Sequence, residues 1–418
     1  MAPRSASLSM CRHSLSPKTD PGRIWNDEPP VTDSNWIHHA LVGVEYVCRL
    51  PAAVIVVGIG LLGSVVGSIW YIALRTAPLA WISGIAYVLA AGIDWAWLAW
   101  LPRKGLSFGP VKPPLLGLLL VRLPTGLVSL LGQTVGLSPT TCAIAGILLQ
   151  AALSATVLYA TGIEPFRLGV TNIQVQTPKL PRGKQLCLVQ LSDLHVERIT
   201  RRERALIKEV ENLDADYLLL TGDYLSFSYV GEDRAVAAAR QVLGALQARY
   251  GIYAIRGTHQ VDPNALLPRL FAGMPIRWLR SEHVTLEHDG FTVTLAGASS
   301  TRVPEIDIPA VERALEGAPQ SSYIVLLYHT PERMSEAIAG KTDLYLAGHT
   351  HGGQIRLPFY GAIVTASDAG KRYEMGRYEV KGTTLYVSRG IGMEGRGAPR
   401  ARLFCPPEIV RIDIVGTG

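Results

Sequence analysis

Two short segments of this chain place a histidine two residues after another metal-binding side chain: Asp193 and His195 around Leu194, and His349 and His351 around Thr350. Asp223 and His329 stand alone, each shortly after an apolar run. Carboxylate oxygens and imidazole nitrogens together suit divalent ions such as manganese, iron or zinc, rather than calcium or a thiolate-bound metal. In extended backbone, side chains two residues apart share a face, so each pair is expected to close on a common centre. Gly222, Gly257, Gly348, Gly352 and Gly353 sit beside these residues, where the backbone must turn sharply or approach an ion or a phosphate.

The elements that would position them follow a regular plan. Short apolar runs at 185–191, 217–220, 252–255, 323–327 and 344–346 read as strands, and each ends just before one of the polar clusters. Helical periodicity predicts helices over 201–212, 233–248 and 308–315. Alternating strands and helices imply an α/β domain whose loops gather at strand ends.

The ordered blocks SDLH, TGD, RGTH, an isolated His329 after a strand, and GHTHGGQ resemble the calcineurin-like metallophosphoesterases. The resemblance covers 169–415. Its later blocks, LPFYG, SRGIG and PPEI, are similar to a membrane-associated bacterial branch that includes UDP-2,3-diacylglucosamine pyrophosphatases and related phosphodiesterases. The resemblance implies a four-layer αββα sandwich of two mixed sheets. It assigns Asp193, His195 and His351 to a first metal, Asp223 to a bridging position, and His329 and His349 to a second. That second site normally takes an asparagine as well, but Thr258 stands there, so the second ion is expected to bind more weakly. By the same resemblance His259 would protonate the leaving group, and Gln260 replaces the usual acid after it. Arg198 and Arg389 are the candidate phosphate-holding residues, with Arg400 or Arg402 as further choices and Gly257 and Gly352 as close-approach positions.

Composition divides the chain. It has 418 residues, net charge +6 and only 18% charged residues. Between 51 and 162 the charges are Arg75, Asp94, Arg103, Lys104, Lys112 and Arg122 alone. Crossing a hydrocarbon core takes about 20 apolar residues in a helix. Four stretches approach that length: 52–74, 78–101, 115–135 and 139–161. Arg122 and Pro124 leave the third able to span, kink or re-enter. Asp94 and Arg122 can be an intramembrane ion pair or mark a transport path. The expected domains are therefore a tail over 1–50 with a possible interfacial helix at 34–50, an all-α membrane region of about four helices over 51–163, and the phosphoesterase domain over 164–415. Lysine and arginine in the tail, after the second stretch and after the fourth favour four spans in the cell (inner) membrane, with the catalytic domain facing the cytoplasm. No cleavable signal peptide is expected. The five cysteines are dispersed and lack a CxxC pair, which suggests free thiols.

These features exclude a disulfide-framework or zinc-knuckle protein and show no basic-aromatic motif for nucleic acid. They predict a membrane-anchored hydrolase of a phosphodiester or pyrophosphate bond, using two divalent ions (Mn, Fe or Zn) on a phosphorylated, lipid-linked substrate. No protein partner is expected. The alternative is a membrane-bound binding or regulatory protein whose altered RGTH loop has weakened catalysis.

Overall fold

The computed structural model describes residues 47–48, 50–288, 290–393 and 400–418. The expected tail and most of the interfacial segment at 34–50 lie outside them. The described chain forms two compact units divided between Ile163 and Glu164.

The first unit is helical: α1 (Ala52–Leu74), α2 (Ala77–Trp100), α3 (Lys112–Val128) and α4 (Pro139–Gly162). All four are long and apolar enough to cross a membrane, the third when its 3-10 extension Ser129–Val135 is included. Gly63 and Gly67 of α1 face Gly84 and Ala80 of α2, small residues that let the two backbones approach closely. Pro124 lies inside α3 without ending it, and the helical turns tighten only after Val128. Arg122, two residues before Pro124 in the same helix, is fully buried. Its Nε and Nη2 donate to Asp94 Oδ2 at 2.9 and 2.6 Å, Nη1 donates to Gln150 Oε1 and O, and Nη2 also donates to Ser154 Oγ. Each guanidinium N–H therefore has an acceptor within the bundle. Of the two readings open for Asp94 and Arg122, the structure supports the ion pair.

The second unit opens with β1 (Gly169–Thr177) and β2 (Gln185–Leu191), then α5 (Arg201–Leu213), which Thr200 and Glu203 cap reciprocally. β3 (Tyr217–Leu220), α6 (Asp233–Gly244), β4 (Gly251–Ala254), the short α7 (Leu267–Phe271) and β5 (Ile276–Trp278) follow. The chain continues through β6 (Glu282–His288), β7 (Phe291–Gly297), α8 (Pro304–Leu315), β8 (Tyr323–Leu327), α9 (Met334–Ala339) and β9 (Leu344–Ala347). A small hairpin, β10 (Arg356–Leu357) with β11 (Gly361–Ala362), precedes β12 (Gly376–Val380), β13 (Thr383–Val387) and β14 (Glu408–Gly416). Helix α8 begins four residues before the predicted start because Pro304 occupies its first turn, where a missing N–H is harmless.

Two six-stranded mixed sheets result, ordered β1-β14-β2-β3-β4-β5 and β12-β13-β9-β8-β7-β6. They pack face to face through one apolar cluster: Leu186, Leu188 and Leu219 of the first sheet meet Leu295, Val325 and Leu346 of the second. On the outer face of the second sheet, Ile324, Leu326 and Tyr345 pack with Val311 and Leu315 of α8 and Ala337 of α9. Central strands are thus buried on both faces, which is why they read as continuous apolar runs. The αββα sandwich implied by the resemblance is the observed fold.

Candidate metal centre

The ligand-bearing loops leave the carboxyl ends of strands from both sheets. Asp193 and His195 follow β2, Asp223 follows β3, Thr258 and His259 follow β4, His329 follows β8, and His349 and His351 follow β9. Two groups form there: Asp193 with His195 and His351, and Asp223 with His329 and His349, all buried, with the candidate ligand atoms of each group within 4.8 Å of one another. The two paired segments behave differently. Asp193 and His195 join the same group, whereas His349 and His351 part, one to each group.

The backbone reason differs from the expected one. Asp193, His195, Asp223, His349 and His351 all have positive φ, from 40° to 67°, so the ligands converge by left-handed turns rather than by sharing a face of extended strand. Such conformations cost on the order of 1–3 kcal/mol each in a non-glycine residue and persist where surrounding contacts impose them. Two glycines supply the closeness those contacts need. A Cβ on Gly257 would lie 2.2 Å from Asp223 Oδ1, and one on Gly348 would lie 1.9 Å from Ser192 Oγ.

Hydrogen bonds to the far side of each ring fix which nitrogen faces inward. His195 Nδ1 donates to Leu225 O at 3.1 Å, His329 Nδ1 to Thr221 O at 2.7 Å, and His349 Nε2 to Ala366 O at 3.2 Å. The inward atoms are then lone pairs: Nε2 of His195 and His329, and Nδ1 of His349. Carbonyl partners of this kind are what orient metal-bound imidazoles. His329 Nε2, 3.2 Å from Asp223 Oδ2, is buried with no hydrogen bond of its own. His195 Nε2 and His351 Nε2 lie 3.0 Å apart on stacked rings.

The electrostatics ask for positive charge in the middle. Burial pushes Asp193 above the carboxylate range, although His329 draws it back. Burial also opposes charge on Asp223, but His329 and its neighbours hold that carboxyl well below its usual range. Burial disfavours protonated His329, yet Asp223 and Asp193 outweigh it and raise the imidazolium to about 10. His349 is lowered to about 4 and His351 far below the usual value, by burial first and then by neighbouring cations. The carboxylates around His329 favour a positive charge where its Nε2 faces Asp223 Oδ2 at 3.2 Å. A dication would supply that charge, and two buried carboxylate-imidazole groups with ring nitrogens fixed inward fit a pair of divalent ions.

A family model described as calcineurin-like phosphoesterase matches residues 188–353. An uncharacterized metallophosphoesterase of Aquifex aeolicus is 32% identical over 267 residues, covering 61% of this chain and 95% of the relative. The chain belongs to the metallophosphoesterase family. As such it is a phosphoric ester hydrolase. A UDP-2,3-diacylglucosamine pyrophosphatase LpxG of Chlamydia muridarum is 24% identical, covering 61% of this chain and 91% of that one. A transmembrane protein with metallophosphoesterase domain from Danio rerio is 29% identical, over 54% of this chain and 53% of its own length.

The remaining candidate residues of this metallophosphoesterase each have defined partners. Arg389 Nη2 donates to Glu408 Oε2 at 2.7 Å and to Thr171 Oγ1 at 3.1 Å. Arg198 pairs with Glu232 at 2.7 Å and lies over the Tyr229 ring. Arg402 is buried and donates to the carbonyls of Arg389, Gly390, Gly392 and Cys405, while Arg400 is also buried. The N–H of Gly352 closes its own turn onto Thr350 Oγ1, and that of Gly257 goes to Asp262 Oδ2. His259 is buried in the same loop as Thr258. Thr258 N donates to Asp223 Oδ1 at 2.6 Å, and its Oγ1 lies 3.3 Å from Asp223 Oδ2 and 3.4 Å from His349 Nδ1. The hydroxyl therefore borders the second group. Residues Phe227–Tyr229 form a 3-10 turn with Tyr229 buried.

Two contributors escaped the sequence reading. Asp262, fully buried, accepts from the N–H groups of Asp223, Gly257 and Tyr224 at 2.7, 3.0 and 3.1 Å, tying the β3 and β4 loops together. Burial and the nearby Asp223 raise its carboxyl to about 7. Its signal was an acid two residues after Gln260, the position expected to carry one. Arg302, after β7, shares the Ala366 carbonyl with His349, at 3.4 Å from Nη2. Replacing Asp262 with Asn puts an amide N–H against a backbone donor. Metal affinity, followed by titration calorimetry, is expected to fall about tenfold, in line with other partners that orient ligands; unchanged affinity would show that the loops hold without it.

Proposed function

We propose that this protein is a membrane-anchored, two-metal phosphoesterase that hydrolyses a phosphodiester or pyrophosphate bond in a lipid-linked substrate, with a nucleotide-lipid of the UDP-diacylglucosamine kind as the leading candidate. The observation that carries this reading is the convergence of two buried carboxylate-imidazole groups whose lone pairs are fixed inward. Divalent ions bound there supply Lewis acidity toward a phosphoryl oxygen and make water nucleophilic at neutral pH. Asp193, His195 and His351 would hold one ion, His329 and His349 the other, and Asp223 both. The chain's own groups do the rest. His259 holds the proton for the leaving oxygen, a contribution of typically 10²–10⁴-fold. Arg302, which shares the Ala366 carbonyl with His349 and lies 3.6 Å from Asp368, would join Arg198 and Arg389 as a group that offsets phosphate charge.

The four membrane-length helices support anchoring over 51–163, ahead of a catalytic domain over 164–415. Positive residues at the tail, the second connection and the domain junction support a cytoplasmic face in the cell membrane. Anchoring keeps the site where lipid-linked phosphates are concentrated. The name of the Chlamydia relative supports the nucleotide-lipid.

Thr258 favours a second reading, a weakened enzyme that serves as a metal- or phosphate-binding protein. One experiment separates the two. Full-length protein with manganese should hydrolyse bis-p-nitrophenyl phosphate and release UMP from UDP-diacylglucosamine in bilayers. Thr258→Asn extends an oxygen ligand toward the His349 group and should raise metal affinity and rate about tenfold, the scale at which oriented neighbours tune such sites. Turnover of neither compound with any divalent metal supports the binder; turnover of the soluble diester alone removes the lipid substrate and keeps the enzyme.

A further inference from the structure

The β10–β11 hairpin exposes Leu357, Phe359, Tyr360, Ile363 and Val364, and Phe404 lies exposed on the neighbouring segment. Clustered apolar exposure of this kind marks an interaction surface. The hairpin is not a loose loop. Arg356 N donates to Leu403 O and Leu403 N to Gln354 O, so the segment carrying Phe404 is stitched to its root. Arg356 also pairs with Glu374 at 2.9 Å. Phe359 has φ of +65°, a conformation a bulky side chain avoids unless held, and its ring points wholly into solvent. At the other end, a Cβ on Gly353 would lie 2.4 Å from Ala362 Cβ, so the hairpin packs on the turn that immediately follows His351. The tip and the metal groups therefore share one rigid support.

The charge beside the tip identifies its occupant. Lys371 Nζ sits 3.5 Å from the Tyr360 ring centroid, donates to Tyr360 O and lies 3.4 Å from Glu374, which also pairs with Arg356, while Arg372 is exposed next to it. Apolar and aromatic residues flanked by exposed cations match the acyl boundary and anionic headgroups of a bilayer. The same chain carries four membrane-length helices, and only residues 163–168 separate the last of them from β1.

We infer that the β10–β11 tip, with Phe404, inserts into the lipid surface beside the metal-binding loops. This rests on the membrane anchoring proposed above and not on the hydrolytic chemistry. The test uses the full chain in nanodiscs of phosphatidylcholine and phosphatidylglycerol, where co-elution with the disc checks anchoring separately. A Phe359→Cys variant carries an environment-sensitive fluorophore, with the unmutated protein labelled in parallel to subtract native thiols. Acyl-chain spin-labelled lipid should quench it several-fold more than the same label at Ser321→Cys, on an exposed residue before β8, at the strand end opposite His329. Lys371→Glu should weaken that quenching in anionic discs only. Equal quenching at the two positions overturns the inference. So does a blue-shifted label that lipid does not quench, which would mean the tip packs against protein, its own or a second copy.

Discussion

Asp223→Asn is expected to lower kcat/KM on a soluble phosphodiester below about a hundredth of the unmutated value, since even partners that only orient metal ligands cost ten- to a hundredfold. Asp223 Oδ2 lies 3.2 Å from His329 Nε2 and 3.7 Å from His195 Nε2, so this one oxygen faces both groups. Oδ1 accepts from Thr258 N at 2.6 Å. An amide must point its NH2 either at the imidazole lone pairs or at the Thr258 N–H. Both choices remove an anionic donor from the centre, and either puts a donor where an acceptor is needed. The side-chain volume is unchanged, so circular dichroism and thermal unfolding should show an intact fold. Metal content by mass spectrometry should fall from two ions per chain to one or none. Activity within tenfold of the unmutated protein would remove Asp223 from the bridging position.

The second large effect lies in the helical unit. Arg122→Leu is expected to destabilise it by about 3–5 kcal/mol, because it strands a buried carboxylate rather than merely deleting a pair. Asp94 is 1% exposed and keeps Ser154 Oγ, at 3.0 Å, as its remaining partner. Gln150 and Ser154 lose acceptor contacts at the same time. Removing both charges, as Asp94→Leu with Arg122→Met, should regain most of the loss, since apolar replacements of buried pairs are often neutral or better. Unfolding of the purified protein in detergent distinguishes these outcomes. A single variant within about 1 kcal/mol of the unmutated protein would show that the pair does not hold the helices together.

The sheets and the ligand identities were legible because their causes are local. Strands 185–191, 217–220 and 323–327 are buried on both faces, so they appear as apolar runs with a polar loop at the end. β6 and β12, which alternate partly buried with exposed residues, and β1, exposed along much of its length, give a weaker signal and went unread. The ligand spacing was visible, but the conformation behind it was not. Two residues apart suggests extended backbone, whereas positive φ at Asp193, His195, His349 and His351 arises from tertiary contacts that spacing does not encode. The partners of the arginines were hidden for a similar reason. Glu408, which engages Arg389, is 19 residues away in sequence, and nothing in SRGIG announces it. Asp262 gives no signal at the position next to His259; the folded loop brings in this carboxylate from two residues beyond Gln260.

The placement of β14 between β1 and β2 has a consequence for biosynthesis. β1 is the first strand made after the apolar helices, yet its partner, in register from Gly169 with Glu408 to Thr177 with Gly416, is made after every other strand described. During synthesis one sheet therefore waits with an unpaired edge and a gap beside β2, and cannot close until β14 clears the ribosome. Products cut short between His351 and β14 would retain every metal-binding side chain and still present open strand edges, the surface through which chains aggregate.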